Sequence, residues 1–134
     1  MTADTLQQAL AQYFAPWVQA LDLRVEAFDE HSVTLRLPQS EQLSRVGGML
    51  CGQAMMAAAD TAMVLALINQ SGQFRPCTTV QMNTSFLKPL SNQDAMVQAR
   101  VLRAGKSLAF GEIDIRGADD GKSVCRASVT YALL

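Results

Sequence analysis

The chain has 134 residues, with 11 Lys and Arg against 12 Asp and Glu and a formal charge of -1. That length supports one domain with a sizeable core, and the charge balance leaves no broad positive field for nucleic acid or an anionic membrane. Cys51, Cys77 and Cys125 lie far apart, and the opening MTADTLQQALAQYF lacks the charged-then-apolar layout of a secretion signal, so reduced thiols in a cytoplasm are expected. With a single histidine, His31, and no acidic or thiol cluster, the spacings of tetrahedral zinc ligation are missing. No structural metal is expected.

Leu6, Leu10, Tyr13, Phe14, Trp17, Val18 and Leu21 recur at three- and four-residue spacing, which predicts one N-terminal amphipathic helix. The period then changes. Val33, Leu35 and Leu37 alternate with Thr34 and Arg36 after the turn-prone DEHS, predicting a hairpin of two strands near residues 23–37 that Pro38 ends. From Gly52 to Asn69 the chain is rich in Ala, Met and Leu and apolar on every face. It reads as a helix surrounded by protein, shorter in its apolar run than the ~20 residues of a bilayer span. The runs TTVQMNTSF, DAMVQARVL, SLAFGEIDIR and SVCRASVTYALL predict four further strands in meander-like succession. Strands gathered this way around one buried helix argue for an antiparallel α+β architecture, residues 1–134 forming a single domain.

Asp60 interrupts the apolar helix. An unpaired carboxylate in an apolar interior costs several kcal/mol, so Asp60 must be hydrogen-bonded, protonated or facing a cleft. A structural acid tied to Thr61, Thr79 or another hydroxyl accounts for it as readily as a catalytic one. The preceding SRVGGMLCG opens backbone N–H groups at the positive end of the helix dipole, suited to an oxygen that gains negative charge. Gly52 is the candidate donor, although a glycine there also serves a tight turn. Eight residues at 1.5 Å each separate Gly52 from Asp60 by about 12 Å, too far to act on one carbonyl. If both take part, they come from different subunits of a two-fold dimer. His31 has no second histidine to work with, and a nucleophile–histidine triad is not supported. Cys51 reads as an apolar filler at the helix start.

From Leu43 to Leu134 the residues resemble the hotdog-fold acyl-CoA thioesterases, in particular the phenylacetyl-CoA thioesterase-like branch of the 4-hydroxybenzoyl-CoA thioesterase superfamily. CGQAMMAAADT resembles the family's His-Gly-Gly segment and following helix, with the acid at the same distance. TTVQMNTSFLKPL resembles its polar strand ending in a basic or polar residue and Pro, and AGKSLAFGEIDIR its Gly-Lys hairpin. The chain departs from the pattern at Cys51, where relatives carry histidine, at Gln53 in place of a glycine, and at Arg45 in place of Asn or Gln.

The resemblance implies a hotdog fold, an antiparallel sheet wrapped around a long central helix. It also implies hydrolysis of an acyl-CoA thioester by a homodimer, which can pair further into a tetramer. Asp60 would act as general base on water or by direct attack, Gly52 would bind the carbonyl oxygen and Thr79 would orient the water or the acid. Arg45, Cys51, Met56, Lys88 and Lys106 are the candidate substrate-binding residues, Lys106 toward the nucleotide end. No cofactor beyond the coenzyme A of the substrate is implied. A non-catalytic acyl-CoA binding module and a structural dimer remain as alternatives.

Overall fold

The computed structural model describes residues 1–134. Its elements are α1 (Ala3–Gln12), α2 (Pro16–Gln19), β1 (Arg24–Phe28), β2 (Ser32–Leu37), α3 (Gly52–Ser71), β3 (Cys77–Phe86), β4 (Ala95–Ala104), β5 (Leu108–Gly117) and β6 (Ser123–Leu133). The opening apolar stripe is broken where one helix was expected. Tyr13 caps α1, and Pro16, which has no N–H to donate, starts the short α2. Leu6, Ala9 and Leu10 carry the burial, while Trp17 is exposed.

The six strands form one antiparallel sheet in the order β1-β2-β4-β5-β6-β3. Together with the long α3 against its concave side, this is the hotdog arrangement. The expected four-strand meander is only partly right: β4, β5 and β6 follow one another, but β3 crosses to the far edge and pairs with β6. Composition explains the placement. Val33, Leu35 and Leu37 on β2 and Ala95, Val97, Ala99 and Val101 on β4 each point an apolar row at α3 and are buried. β3 is mostly Thr, Gln, Asn and Ser and has little apolar surface to gain from a central position.

The helix α3 packs chiefly on β4 and β2. Ala58, Ala59, Ala62, Met63, Leu65 and Ala66 are fully buried, small alanines letting the helix lie close to the sheet. Contrary to the all-round burial expected, Gln53, Met56, Ala57, Asp60, Val64 and Leu67 stay partly or fully exposed on one face, the face beside β3.

On β5, Gly111 permits this close approach: a Cβ there would stand 2.4 Å from the Met63 Sδ and 2.9 Å from the Arg100 carbonyl oxygen. The methionine tip can move aside but the strand carbonyl cannot. Gly111→Ala is therefore expected to destabilise the fold by about 1–3 kcal/mol, read as a lowered midpoint in urea unfolding with unchanged slope.

Candidate active site

The segment before α3 is a tied-down loop. Ser44 and Leu50 form an isolated bridge, as do Met49 and Ser91. Arg45 N–H donates to the Met49 carbonyl at 2.8 Å, Leu50 N–H to Leu90 at 2.9 Å and Cys51 N–H to Leu43 at 2.9 Å. Gly47 and Gly48 turn the chain at φ of +97° and +80°, values that side chains rarely adopt. Gly52 serves a different need, since a Cβ on it would lie 3.2 Å from the Phe86 ring.

Cys51 caps α3 without a side-chain hydrogen bond, and the N–H groups of Gly52, Gln53 and Ala54 find no acceptor within the chain. Three amide donors at the positive end of a 20-residue helix are thus left without an intrahelical partner, an arrangement suited to an anionic oxygen. Of the three residues, Gly52 lines a groove of about 580 Å³ whose walls also include Arg45, Met55, Phe86 and Lys88.

Two turns further on, Asp60 lies on the uncovered face of α3. Thr79, reaching from β3, donates its hydroxyl to Asp60 Oδ1 at 2.8 Å. Tyr131, from β6, donates to the same Oδ1 and also approaches the Asp60 carbonyl oxygen at 2.9 Å. Thr61, the other hydroxyl considered from the sequence, turns instead to the Ala57 carbonyl. Oδ2 receives no hydrogen bond from the chain. One oxygen is fixed and the other is left to accept a proton or an external ligand.

Tyr131 is the residue that the sequence reading missed. Its ring is 1% exposed, and a buried phenol requires a partner for its hydroxyl. The alternation Val129, Tyr131, Leu133 in the last strand carried that signal. Burial first, and then the neighbouring Asp60 charge, push the phenol well above its ordinary value, so it remains a donor at any physiological pH. The same two influences raise the Cys77 thiol, which leaves it a poor nucleophile near neutrality.

The structure thus joins Asp60 with Thr79, and Gly52 with Arg45 and Lys88, but in one chain these are two separate groups. Cys51 is half-buried at the cap of α3, next to Gly52, and Met56 stands one turn before Asp60 on the exposed face. Lys106 is remote from the Gly52 groove. It sits in the β4–β5 turn, where its carbonyl accepts from Arg75 at 2.9 Å, near the C-terminal end of α3. His31 is exposed in the β1–β2 turn, 3.8 Å from the Glu30 carboxylate. No three His, Cys, Asp or Glu side chains gather as metal ligands, and no helix is long and apolar enough to cross a membrane.

Residues 47–124 match the family model of the thioesterase superfamily, and the chain belongs to that superfamily. A protein of Thermoplasma acidophilum, named provisionally as an esterase, is 27% identical over 116 residues and 86% of either chain. Human acyl-coenzyme A thioesterase 13 is 27% identical over 103 residues, covering 75% of this chain and 72% of the human one. The crystal structure of a mutant thioesterase from Pseudomonas aeruginosa superposes with a TM-score of 0.87 at 25% identity, covering 100% of this chain and 94% of the other. Thioester hydrolysis is the chemistry these relationships support.

Proposed function

We propose that the protein hydrolyses acyl-CoA thioesters as a two-fold homodimer whose sites lie between subunits. The observation that carries this reading is the paired geometry of Asp60 and Gly52. A carboxylate with one pinned and one free oxygen stands on an uncovered helix face, about 9–12 Å along the axis from three unused amides of its own helix.

The sheet supports a way to bring them together. β3 is an edge strand of ten residues without a charge, and Val80 and Phe86 are 58% and 50% exposed. Natural sheets seldom leave such an edge open, because its unpaired backbone groups invite a second strand. The opposite edge, β1, has only five residues, carries Arg24 and Glu26 and contains a bulge. Full antiparallel pairing of two β3 strands about a two-fold axis sets Cys77 across from the partner's Phe86. Thr79, bonded to Asp60, then comes near the end of β3 that packs on Gly52, so each carboxylate meets the partner's helix start.

In this arrangement the thioester carbonyl oxygen accepts from the partner's Gly52 N–H. A water held at Asp60 Oδ2 attacks the carbonyl carbon as Oδ2 takes its proton. The helix-end amides stabilise the tetrahedral oxyanion. The C–S bond then breaks, and the proton held by Asp60 passes to the departing coenzyme A sulfur. Thr79 and Tyr131 hold Oδ1 so that Oδ2 stays aimed at the water. Arg45 and Lys88 bring positive charge to the groove where the phosphates of coenzyme A approach.

A panel of short, long and aromatic acyl-CoAs, followed by release of free thiol, tests the reading. Turnover of some of them is expected. Saturable binding of acyl-CoA with no hydrolysis of any would replace the enzyme with a binding module.

A further inference from the structure

We propose that the acyl group is held by the subunit that supplies Asp60, in a pocket one helical turn beyond that carboxylate, and that this pocket selects medium-sized apolar acyl groups. The inference rests on the hydrolytic reading and adds to it a substrate class and the residues that set it.

The pocket has a volume of about 240 Å³ and lies between the C-terminal half of α3, the start of β3, the β4–β5 turn and the end of β6. Val64, Leu67, Cys77 and Leu133 give it an apolar floor, and Gln73 and Arg75 stand in its polar, exposed rim. Its relation to Asp60 is the same on three elements. On α3, Asp60 is followed on the same face by Val64 and Leu67. On β3, Thr79 holds Asp60, and Cys77, two residues away on the same side, lines the pocket. On β6, Tyr131 holds Asp60, and Leu133, again two residues along, lines the pocket.

One helical turn and one strand repeat each advance about 5–7 Å. A carbonyl placed at Asp60 therefore has the pocket immediately behind it. The partner's groove, with Arg45 and Lys88, lies on the other side of the junction, which leaves the polar coenzyme there and the acyl tail here.

Size sets the class. A cavity of about 150 Å³ holds benzene, with its six carbons, so the walled part of this cleft, about 240 Å³, takes about eight to ten non-hydrogen atoms by proportion. The occupants that fit are a hexanoyl or octanoyl chain, or one aromatic ring on a short tether.

The rim of the pocket is tied together but open to solvent. Arg75 donates to the Lys106 carbonyl at 2.9 Å, and Leu134 N–H donates to Pro76 at 2.9 Å. These bonds tie the segment before β3 to the β4–β5 turn and the chain end. Palmitoyl chains must leave the pocket or distort it.

The test is a series of kcat/KM values from acetyl- to palmitoyl-CoA on the wild type, Leu67→Phe and Leu67→Ala. The wild type is expected to peak at six to eight carbons. Leu67→Phe is expected to lower the ratio of octanoyl to acetyl turnover at least tenfold, the scale on which an apolar pocket reads methylenes, and Leu67→Ala to move the optimum to longer chains. Cys77→Met, on a different element, should act like Leu67→Phe, so that misfolding of one variant does not decide the matter. Wild-type hydrolysis with a chain-length profile that no variant shifts would overturn the pocket and leave the hydrolytic reading standing. Absence of hydrolysis across the wild-type series would overturn both.

Discussion

Asp60→Asn is expected to lower kcat for the best acyl-CoA by about 10²- to 10⁴-fold, the usual contribution of a positioned general base. Asparagine keeps the size of the side chain and an acceptor oxygen for the Thr79 and Tyr131 hydroxyls, but its other position carries an NH2 that cannot take a proton from water. The variant should therefore fold normally by circular dichroism and bind coenzyme A with little change in affinity. Turnover undiminished in this variant would remove Asp60 from the chemistry and reduce it to a satisfied structural acid. The loss should fall on kcat far more than on KM, because the carboxylate acts on the attacking water and not on the bound coenzyme.

Mixing two inactive variants should restore activity. Gly52→Val places a side chain 3.2 Å from the Phe86 ring at its first carbon. The branched side chain crowds the Phe86 ring and the approach to the Gly52 N–H, which itself remains, and keeping the carbonyl oxygen off that one oxyanion donor costs about 10²- to 10³-fold. If each site takes Asp60 from one subunit and Gly52 from the other, a hybrid of Asp60→Asn with Gly52→Val contains one site with both groups intact and one with both damaged. Random reassortment makes half the dimers hybrid, so about a quarter of wild-type activity should return. Differently tagged subunits purified in tandem would establish that hybrids had formed. Hybrids with no activity above that of the parents would place Asp60 and Gly52 in separate, unrelated roles.

Most of the candidate site is legible in the sequence. Asp60 stood out because a carboxylate in an Ala- and Met-rich helix demands a physical reason, and Gly52 because helix starts have spare amides. Thr79 followed from the resemblance, and its hydroxyl does meet Asp60 Oδ1. Tyr131 escaped notice because it lies 71 residues from Asp60, and nothing local distinguishes a core tyrosine from one that orients an acid. Lys106 was grouped with Lys88 as a basic residue, yet within one chain the two lie near opposite ends of α3, a separation that linear order does not express.

What the sequence determined by itself was the kind of element at each position. The α3 composition, the alternation in β2 and β4 to β6, and the glycines at 47 and 48 act through local sterics and periodicity, which do not depend on distant contacts. It also determined that Gly52 and Asp60 cannot meet within one chain, since helix geometry alone sets their separation. Only the tertiary structure decided that β3 crosses to the sheet edge, that one face of α3 remains uncovered beside it, and that the pocket beyond Asp60 is built from the next residues of three elements. Those outcomes depend on which strands compete for the apolar face of the helix. That competition is settled by total burial across the sheet, a sum over residues far apart in the chain.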